Sequence, residues 1–259
     1  MTAMIDLKRA ARSVAAVLAL AIGSPAAHAE FKVRYPNIDY REVEIENNSS
    51  VTFDRRQTDP NNHDISTPTE IGLGVLPWWF VEAEMEAAKH PGQRTSLDAV
   101  TFENYFMLTE PGQYFLDVAI FAEISHSTAT ADADTGKIGL LLQKEQEKVM
   151  HTLNVYIEKQ IGTNANDANT FQYAWQTRYR LDTLFQPGVE IYGQIDDLRH
   201  PGEVNQQQLR VGPMFAGSYN LGQIGGRGKI KYEAGYLFGV TGATETGTVR
   251  TRLEYEVPF

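Results

Sequence analysis

The stretch Phe171-Gln-Tyr-Ala-Trp-Gln-Thr-Arg-Tyr-Arg-Leu181 is decisive for the fold class, because its bulky apolar and its polar residues largely alternate along the chain. Successive side chains of a β-strand point to opposite faces, so Phe171, Tyr173 and Trp175 share one face, with Gln172 and Gln176 on the other. An α-helix would mix the two sets. The stretch is therefore predicted to be a strand with one apolar and one polar face.

The same period of two recurs from about residue 42 to the end of the chain, with turn-rich segments between the runs. Twelve candidate strands are predicted near residues 42–53, 69–76, 78–88, 97–108, 113–125, 137–146, 149–161, 170–181, 188–197, 206–217, 228–240 and 247–258. Many of them suit the roughly 9 to 11 residues that a tilted strand needs to cross a bilayer. A soluble β-sandwich is the alternative architecture for the same alternation.

The connections between these strands fall into two classes. Those after the odd-numbered strands are mostly long or strongly polar, as in residues 55–64, 127–136 and 162–169. Those after the second, fourth, sixth and eighth strands are expected to be tight, for example Leu76-Pro77 and Thr109–Gly112, whereas Tyr219–Gly228 is a longer, glycine-rich turn. An even number of strands with long and short ends in alternation puts both termini on the short-turn side.

The last strand carries the most specific motif of the chain. Its apolar residues alternate with Glu254, Glu256 and Pro258, and they are Leu253, Tyr255, Val257 and Phe259. This pattern resembles the C-terminal strand of barrels that are inserted by the outer-membrane assembly machinery of Gram-negative bacteria. The resemblance implies an all-β fold, a closed antiparallel transmembrane β-barrel of about 12 strands in the cell outer membrane. It also implies outer-membrane lipid and the barrel assembly machinery as partners.

The N-terminus predicts export. Three basic residues, Lys8, Arg9 and Arg12, precede the apolar run 13–22, and Ala27-His28-Ala29 follows as a small-residue cleavage site. This is the pattern of a signal peptide, and the apolar run is too short for a membrane-spanning helix. We therefore expect a signal peptide over 1–29, a periplasmic N-terminal segment over 30–41 and the transmembrane barrel over 42–259.

Composition excludes several classes of function. The chain has 33 acidic and 23 basic residues and no cysteine. An acidic chain lacks the broad basic surface that neutralises phosphates, so nucleic acid is not expected as a partner. Without cysteine, disulfides, thiolate catalysis and cysteine-ligated metals are excluded. No stretch after the signal peptide offers 18 consecutive apolar residues, which excludes a helical membrane protein.

Charged residues of the polar faces are expected to line the lumen of the barrel. These candidate positions are Glu42, Glu44, Glu46, Glu82, Glu84, Glu86, Asp117, Glu123, Arg178, Arg180, Arg210, Lys231, Arg250 and Arg252. Clustered carboxylates indicate either a wall that attracts cations or an interior face neutralised by salt bridges. Acidic positions dominate the first seven strands and basic ones the last five, so opposite walls are expected to differ in sign. Closure of the barrel should place Glu46 near Arg250 or Arg252.

Catalytic and metal-binding motifs are weak. His151 has no serine beside it on the neighbouring strands, and His126-Ser127 has no acidic residue clearly placed to orient the histidine. Loop histidines His63, His90 and His200 match no zinc spacing, and residues 222–228 lack the strand and helix that a nucleotide loop requires. No catalytic residue, metal or cofactor is expected.

These observations favour an outer-membrane, porin-like channel for passive transport of small hydrophilic solutes. The pattern also loosely resembles that of putative small-molecule exporters of aromatic-degradation operons. Two alternatives stay open: a structural or surface-interaction barrel with a plugged lumen, and an outer-membrane hydrolase.

Overall fold

The computed structural model of the protein describes residues 31–56, 62–89, 91–129 and 132–259. The expected signal peptide lies outside the described residues. The strands are β1 (Glu42–Phe53), β2 (Ile65–Leu76), β3 (Trp79–Lys89), β4 (Ser96–Met107), β5 (Asp117–Ser127), β6 (Asp134–Gln146), β7 (Val149–Ile161), β8 (Asn169–Tyr179), β9 (Gln186–Ile195), β10 (Gln208–Asn220), β11 (Lys229–Gly239) and β12 (Gly247–Pro258). Short 3-10 helices, Val204–Gln206 and Leu221–Ile224, lie in two connections.

The twelve strands form one closed antiparallel barrel, which confirms the predicted fold class. Each strand pairs with its neighbours in sequence, and β1 pairs with β12 from Glu42↔Pro258 to Phe53↔Gly247. Closure leaves no sheet edge with unpaired backbone groups, as a strand protein in hydrocarbon requires. No helix in the described ranges is long and apolar enough to cross a membrane.

The two faces of the barrel differ as the alternation predicts. On β12, Arg252 and Glu254 are buried inside the barrel, whereas Leu253 between them is 55% exposed on the outside. On β5 the outward Ile124 is 62% exposed, whereas Glu123 is buried. An outer surface of exposed aliphatic side chains around a polar interior is the arrangement of a lipid-facing barrel.

One short connection differs from its expectation. β5 begins at Asp117 rather than near residue 113, so the connection from 108 to 116 is not tight. Side chains hold this connection in place of strand pairing: the amide of Val118 donates to Thr109 Oγ1 at 2.7 Å, and the amide of Gly112 donates to Asp117 Oδ1 at 2.7 Å. The apolar residues before Asp117 therefore lie in a turn, although their spacing fits a strand.

Buried apolar residues lie inside the barrel in two groups. One is formed by Phe80, Tyr105, Ala119, Phe121, Leu141 and Tyr156, and the other by Phe31, Val33, Ala174, Tyr192 and Leu237. Gly139 on β6 leaves room for the first group, because a Cβ atom there would lie 2.4 Å from Cδ1 of Tyr156. The interior is thus packed with side chains at these levels.

Candidate functional site

The expected lumen positions point into the barrel, with one exception. Those that are buried are Glu46, Glu82, Glu84, Asp117, Glu123, Arg210, Arg250 and Arg252, and those that are partly exposed are Glu42, Glu44, Glu86, Arg178 and Lys231. Arg180 does not line the lumen, because β8 ends at Tyr179. Its Nη2 donates to the Glu147 carbonyl at 3.0 Å and lies 2.8 Å from Glu145 Oε2 in the short-turn rim.

Residues 31–38, called the plug segment below, lie inside the barrel. Phe31, Lys32, Val33 and Arg34 are all buried. The expectation that 30–41 forms a periplasmic segment is therefore wrong for these residues. The physical reason is that their cationic side chains find carboxylates on the lumen wall, which outweighs the loss of water around Lys32 and Arg34.

Lys32 lies among three carboxylates from three adjacent strands. Its Nζ forms a salt bridge with Glu70 on β2, lies 3.4 Å from Glu82 Oε2 on β3, and lies 3.8 Å from Glu46 Oε1 on β1. One oxygen from each of these carboxylates lies within 4.8 Å of the others. All four side chains are almost completely buried, so this group is a preformed cation site inside the protein.

Arg34 occupies a second site, on β4, β5 and β7. Its Nη2 lies 2.5 Å from Glu103 Oε1, and its Nε donates to Glu103 Oε2 at 3.2 Å. The guanidinium therefore makes a bidentate contact with the carboxylate. The guanidinium carbon lies 4.6 Å from the ring centroid of Phe121. The backbone of Arg34 is held as well, because its amide donates to Asn154 Oδ1 at 2.7 Å and Asn154 Nδ2 donates to its carbonyl at 2.8 Å.

Tyr105 joins the two cation sites. Its hydroxyl oxygen lies 2.6 Å from Glu82 Oε2 and 2.6 Å from Glu103 Oε2, and Arg34 Nε donates to it at 3.1 Å. The ring of Tyr105 belongs to an aromatic ladder that also contains Phe80, Phe121 and Tyr156. Neighbouring rings in the ladder meet edge to face with centroids 5.6, 5.2 and 5.3 Å apart.

The remaining plug residues contact other sectors of the wall. The ring of Phe31 packs edge-on against Tyr192 at 5.4 Å, and Arg252 Nη1 donates to the Val33 carbonyl at 3.1 Å. The hydroxyl of Tyr35 donates to Glu233 Oε1 at 2.7 Å. Residues 31–38 have no strand assignment and appear in none of the strand registers. The plug segment is therefore held mainly by side-chain contacts across the lumen.

The wall opposite the aromatic ladder is neutralised by its own residues. Arg250 Nε donates to Glu190 Oε2 at 2.6 Å, and its Nη2 donates to Glu233 Oε2 at 2.7 Å. The expected positive wall on β8–β12 is therefore wrong, because these carboxylates balance the arginines locally. At the β1–β12 seam, Arg252 Nη2 lies 2.6 Å from Glu46 Oε2, which confirms the expected proximity of the two residues.

The plug segment separates two cavities. The larger one, of about 810 Å³, extends to Gln93, Asp132 and Asn164 in the connections that follow β3, β5 and β7, and its lining includes Lys32 and Arg34. A smaller cavity of about 60 Å³ is lined by the same two residues and by side chains near the short-turn end, including Asp39, Glu44, Lys231 and Glu254. The larger cavity is a vestibule lined mainly by carboxylate, amide and hydroxyl side chains.

The histidines have partners other than serine hydroxyls. His126 Nδ1 lies 2.8 Å from Asp134 Oδ1, so the expectation that no acidic residue orients it is wrong. The Ser127 hydroxyl instead accepts a hydrogen bond from the Ala129 amide at 3.2 Å. His151 Nδ1 lies 2.7 Å from Thr177 Oγ1.

The loop histidines, which match no zinc spacing, have different surroundings. His200 Nδ1 lies 2.8 Å from Asp197 Oδ2, and His63 packs against Phe53. The third, His90, lies outside the described residues.

Several residues of the site are absent from the sequence prediction. They are Lys32, Arg34, Glu70, Glu103, Asn154, Glu190 and Glu233. The alternation of side chains along a strand could have identified Glu103, Glu190 and Glu233, because each lies an even number of positions from other inward-facing residues of its strand. Nothing in the local sequence of Lys32 and Arg34 indicates that they turn back into the barrel.

Comparison with known proteins supports the fold. No protein-family model and no curated protein matches the chain. The chain is similar to the solved "COG4313 outer membrane channel" from Pseudomonas putida F1, with 10% sequence identity, a TM-score of 0.53 and coverage of 90% of this chain and 100% of that chain. It is also similar to the KdgM porin solved in complex with disordered oligogalacturonate, with 8% identity, a TM-score of 0.49 and coverage of 84% and 99%.

The class that these observations define is a closed antiparallel β-barrel of the outer-membrane type. The closed sheet, its exposed apolar outer face and the likeness to the Pseudomonas channel agree on this fold. The resemblance inferred from the last strand is thereby confirmed at the level of the fold. The apolar residues of that motif, such as Leu253, point outward, and their role in assembly stays a prediction.

Proposed function

We propose that the protein is a porin-like channel for passive transport of small hydrophilic solutes, and that the plug segment closes it. The observation that carries this proposal is the vestibule of about 810 Å³, which extends to the external connections and whose lining includes the buried side chains of Lys32 and Arg34. The vestibule is polar and ends at the plug segment, which lies inside the barrel but is not part of the sheet. Such a cavity is a suitable entrance for hydrophilic solutes.

The plug segment can leave without opening the barrel. Its residues take no part in strand pairing, so their displacement breaks side-chain contacts and leaves the twelve-strand ladder intact. Signal cleavage after Ala29, which we also propose, would leave only Glu30 ahead of the plug in the mature chain. The plug would then be tethered only at the start of β1, where the Arg41 amide donates to the Gly74 carbonyl at 3.1 Å.

A barrel that stays plugged, with a structural or surface-interaction role, is the second candidate. The depth of burial of Lys32 and Arg34 favours it, because charges that are completely surrounded by partners resist displacement. Ion conductance distinguishes the two candidates, since only the channel offers a path through the lumen.

The test uses Asn154→Ala in the full chain. This change removes both hydrogen bonds to the Arg34 backbone and alters no charge. The purified, folded protein is reconstituted in planar bilayers, and the variant is expected to show ohmic steps with an open fraction well above that of the unmodified protein. Asn104→Ala is the matched control, because the Asn104 side chain accepts from Trp79 Nε1 and makes no contact with the plug segment.

The outcome separates the two candidates. More frequent opening in Asn154→Ala, with Asn104→Ala unchanged, supports a channel closed by the plug. Folded, heat-modifiable protein that conducts in none of the three forms would leave the plugged barrel as the function.

A further inference from the structure

The Lys32 site offers more acceptors than the plug segment uses. Three carboxylates surround one ammonium group, and of these three Glu46 is the one that also forms a salt bridge with Arg252. Glu46 Oε1 and Glu70 Oε1 are buried, and no described residue donates a hydrogen bond to them. An ammonium group carries three donors, so a free ammonium could use oxygens that Lys32 leaves without a donor.

The Arg34 site is shaped for a planar or alkylated cation. Glu103 contacts the guanidinium through both of its oxygens, and the ring of Phe121 covers one face, with Tyr156 5.8 Å from the guanidinium carbon. Carboxylates together with aromatic faces are the surroundings that organic cations prefer. A small, strongly hydrated metal ion would gain nothing from the aromatic ladder.

The two sites lie close enough for one linear molecule. Their native occupants are two positions apart in an extended segment, which separates their Cα atoms by about 7 Å. Tyr105 bridges the carboxylates of Glu82 and Glu103, so the negative surface is continuous between the sites. The vestibule reaches both Lys32 and Arg34, which gives a solute access from the external side.

From this geometry we infer that the lumen binds linear organic dications and that the plug segment is their internal competitor. Resting on the proposed channel function, this identifies the solute class: small molecules with an ammonium group at one end and an ammonium or guanidinium group at the other. The ammonium binds between Glu70 and Glu82, and the second cation binds Glu103 against Phe121.

Agmatine is the probe, since it carries one ammonium and one guanidinium group on a four-carbon chain. It is titrated by calorimetry into the folded, detergent-solubilised Lys32→Gln/Arg34→Gln chain, in which both native cations are removed. We expect saturable binding, at least tenfold tighter than to the unmodified protein.

Two further variants test the assigned residues. Addition of Glu103→Gln to the double variant should weaken agmatine binding at least tenfold, whereas addition of Glu145→Gln, in the rim, should leave agmatine binding unchanged. The matched solute control is 4-guanidinobutyrate, which has a carboxylate in place of the aminomethyl end of agmatine and should bind at least tenfold more weakly.

Failure of this inference and failure of the channel proposal give different results. A double variant that conducts ions but does not bind agmatine, or binds 4-guanidinobutyrate equally well, overturns the inference and leaves the channel. Binding without conductance in any form overturns the channel alone. If the double variant does not fold, agmatine added to Asn154→Ala in bilayers should increase the open fraction or block the open current, and the absence of both effects overturns the inference.

Discussion

Two walls of the lumen neutralise their buried carboxylates in different ways. On β2, β3 and β4, Glu70, Glu82 and Glu103 have their cationic partners on the plug segment, and we call this the plug-dependent wall. On β9 and β11, Glu190 and Glu233 are paired with Arg250 of β12, and we call this the self-neutralised wall. The carboxylates of both walls are buried, but only those of the self-neutralised wall keep their cation without the plug.

The difference shows which buried carboxylates keep their cation when the plug segment leaves and which lose it. A carboxylate buried without a cation is strongly unfavourable, whereas one that is reached by water is not. Departure of the plug segment leaves the ion pairs of Arg250 in the self-neutralised wall in place and removes from Glu233 only the hydrogen bond of the Tyr35 hydroxyl. It exposes three carboxylates of the other wall, which must then be hydrated or bind a cation from solution.

Loss of the cation of the self-neutralised wall should have the largest effect. Arg250→Met leaves Glu190 and Glu233 buried without their guanidinium, and we expect it to lower the free energy of unfolding by about 3 to 5 kcal/mol. Denaturant titration of the folded barrel, followed by heat-modifiable gel mobility, measures this loss. The control is Arg180→Met in the exposed rim, for which a change within about 1 kcal/mol is expected. Equal losses in the two variants would contradict the assignment of Arg250 as the centre of that wall.

The matched change in the plug-dependent wall should be milder. In Arg34→Met the plug can leave and water can reach Glu103, so we expect a loss of about 1 to 3 kcal/mol together with more frequent channel opening. Stability is measured as for Arg250→Met, and opening in planar bilayers. A loss as large as that of Arg250→Met, without opening, would mean that both walls are equally rigid.

Ion selectivity should respond to the plug-dependent wall alone. In the open Asn154→Ala channel the plug cations have left Glu70, Glu82 and Glu103, so this channel should favour cations severalfold over anions. Reversal potentials under a salt gradient measure the ratio. Addition of Glu70→Gln should lower the preference for cations, and a selectivity that this change does not affect would place the ion path elsewhere.

The smallest effect concerns Glu46, which lies between the two walls. Its Oε2 lies 2.6 Å from Arg252 Nη2, whereas its Oε1 lies 3.8 Å from Lys32 Nζ. Double-mutant cycles with Gln substitutions should give a coupling of about 0.5 to 3 kcal/mol with Arg252 and below about 0.5 kcal/mol with Lys32. A larger coupling with Lys32 would assign Glu46 to the plug-dependent wall.

The sequence predicts the barrel far better than it predicts the plug, and the reason is physical. The bounds of β1, β7 and β12 agree with the predicted ranges 42–53, 149–161 and 247–258, because a period of two is a local property of the chain. The start of β5 is missed, since the side-chain hydrogen bonds of Thr109 and Asp117 decide it and periodicity does not.

The site depends on contacts between distant parts of the chain. Arg34 meets Glu103 across 69 positions and Asn154 across 120. Alternation indicates that Glu103 points inward, but it does not indicate which cation Glu103 meets there. The self-neutralised wall is missed for a related reason, because parity places Glu190 and Glu233 on inward faces but does not indicate that Arg250 lies between them.

The hydrogen bond from the Phe259 amide to the Arg41 carbonyl, 3.1 Å long, links the last residue of the chain to the one that precedes β1. It implies an order of events during folding. The plug segment precedes all twelve strands in the chain, yet its partners Glu103, Asn154 and Glu233 are made later, and Arg252 is made almost last. Because Arg252 of β12 is one of these partners, we expect the plug to have its full set of contacts only after the β1–β12 seam has closed. Closure of the seam then completes both the wall and the binding site of the plug.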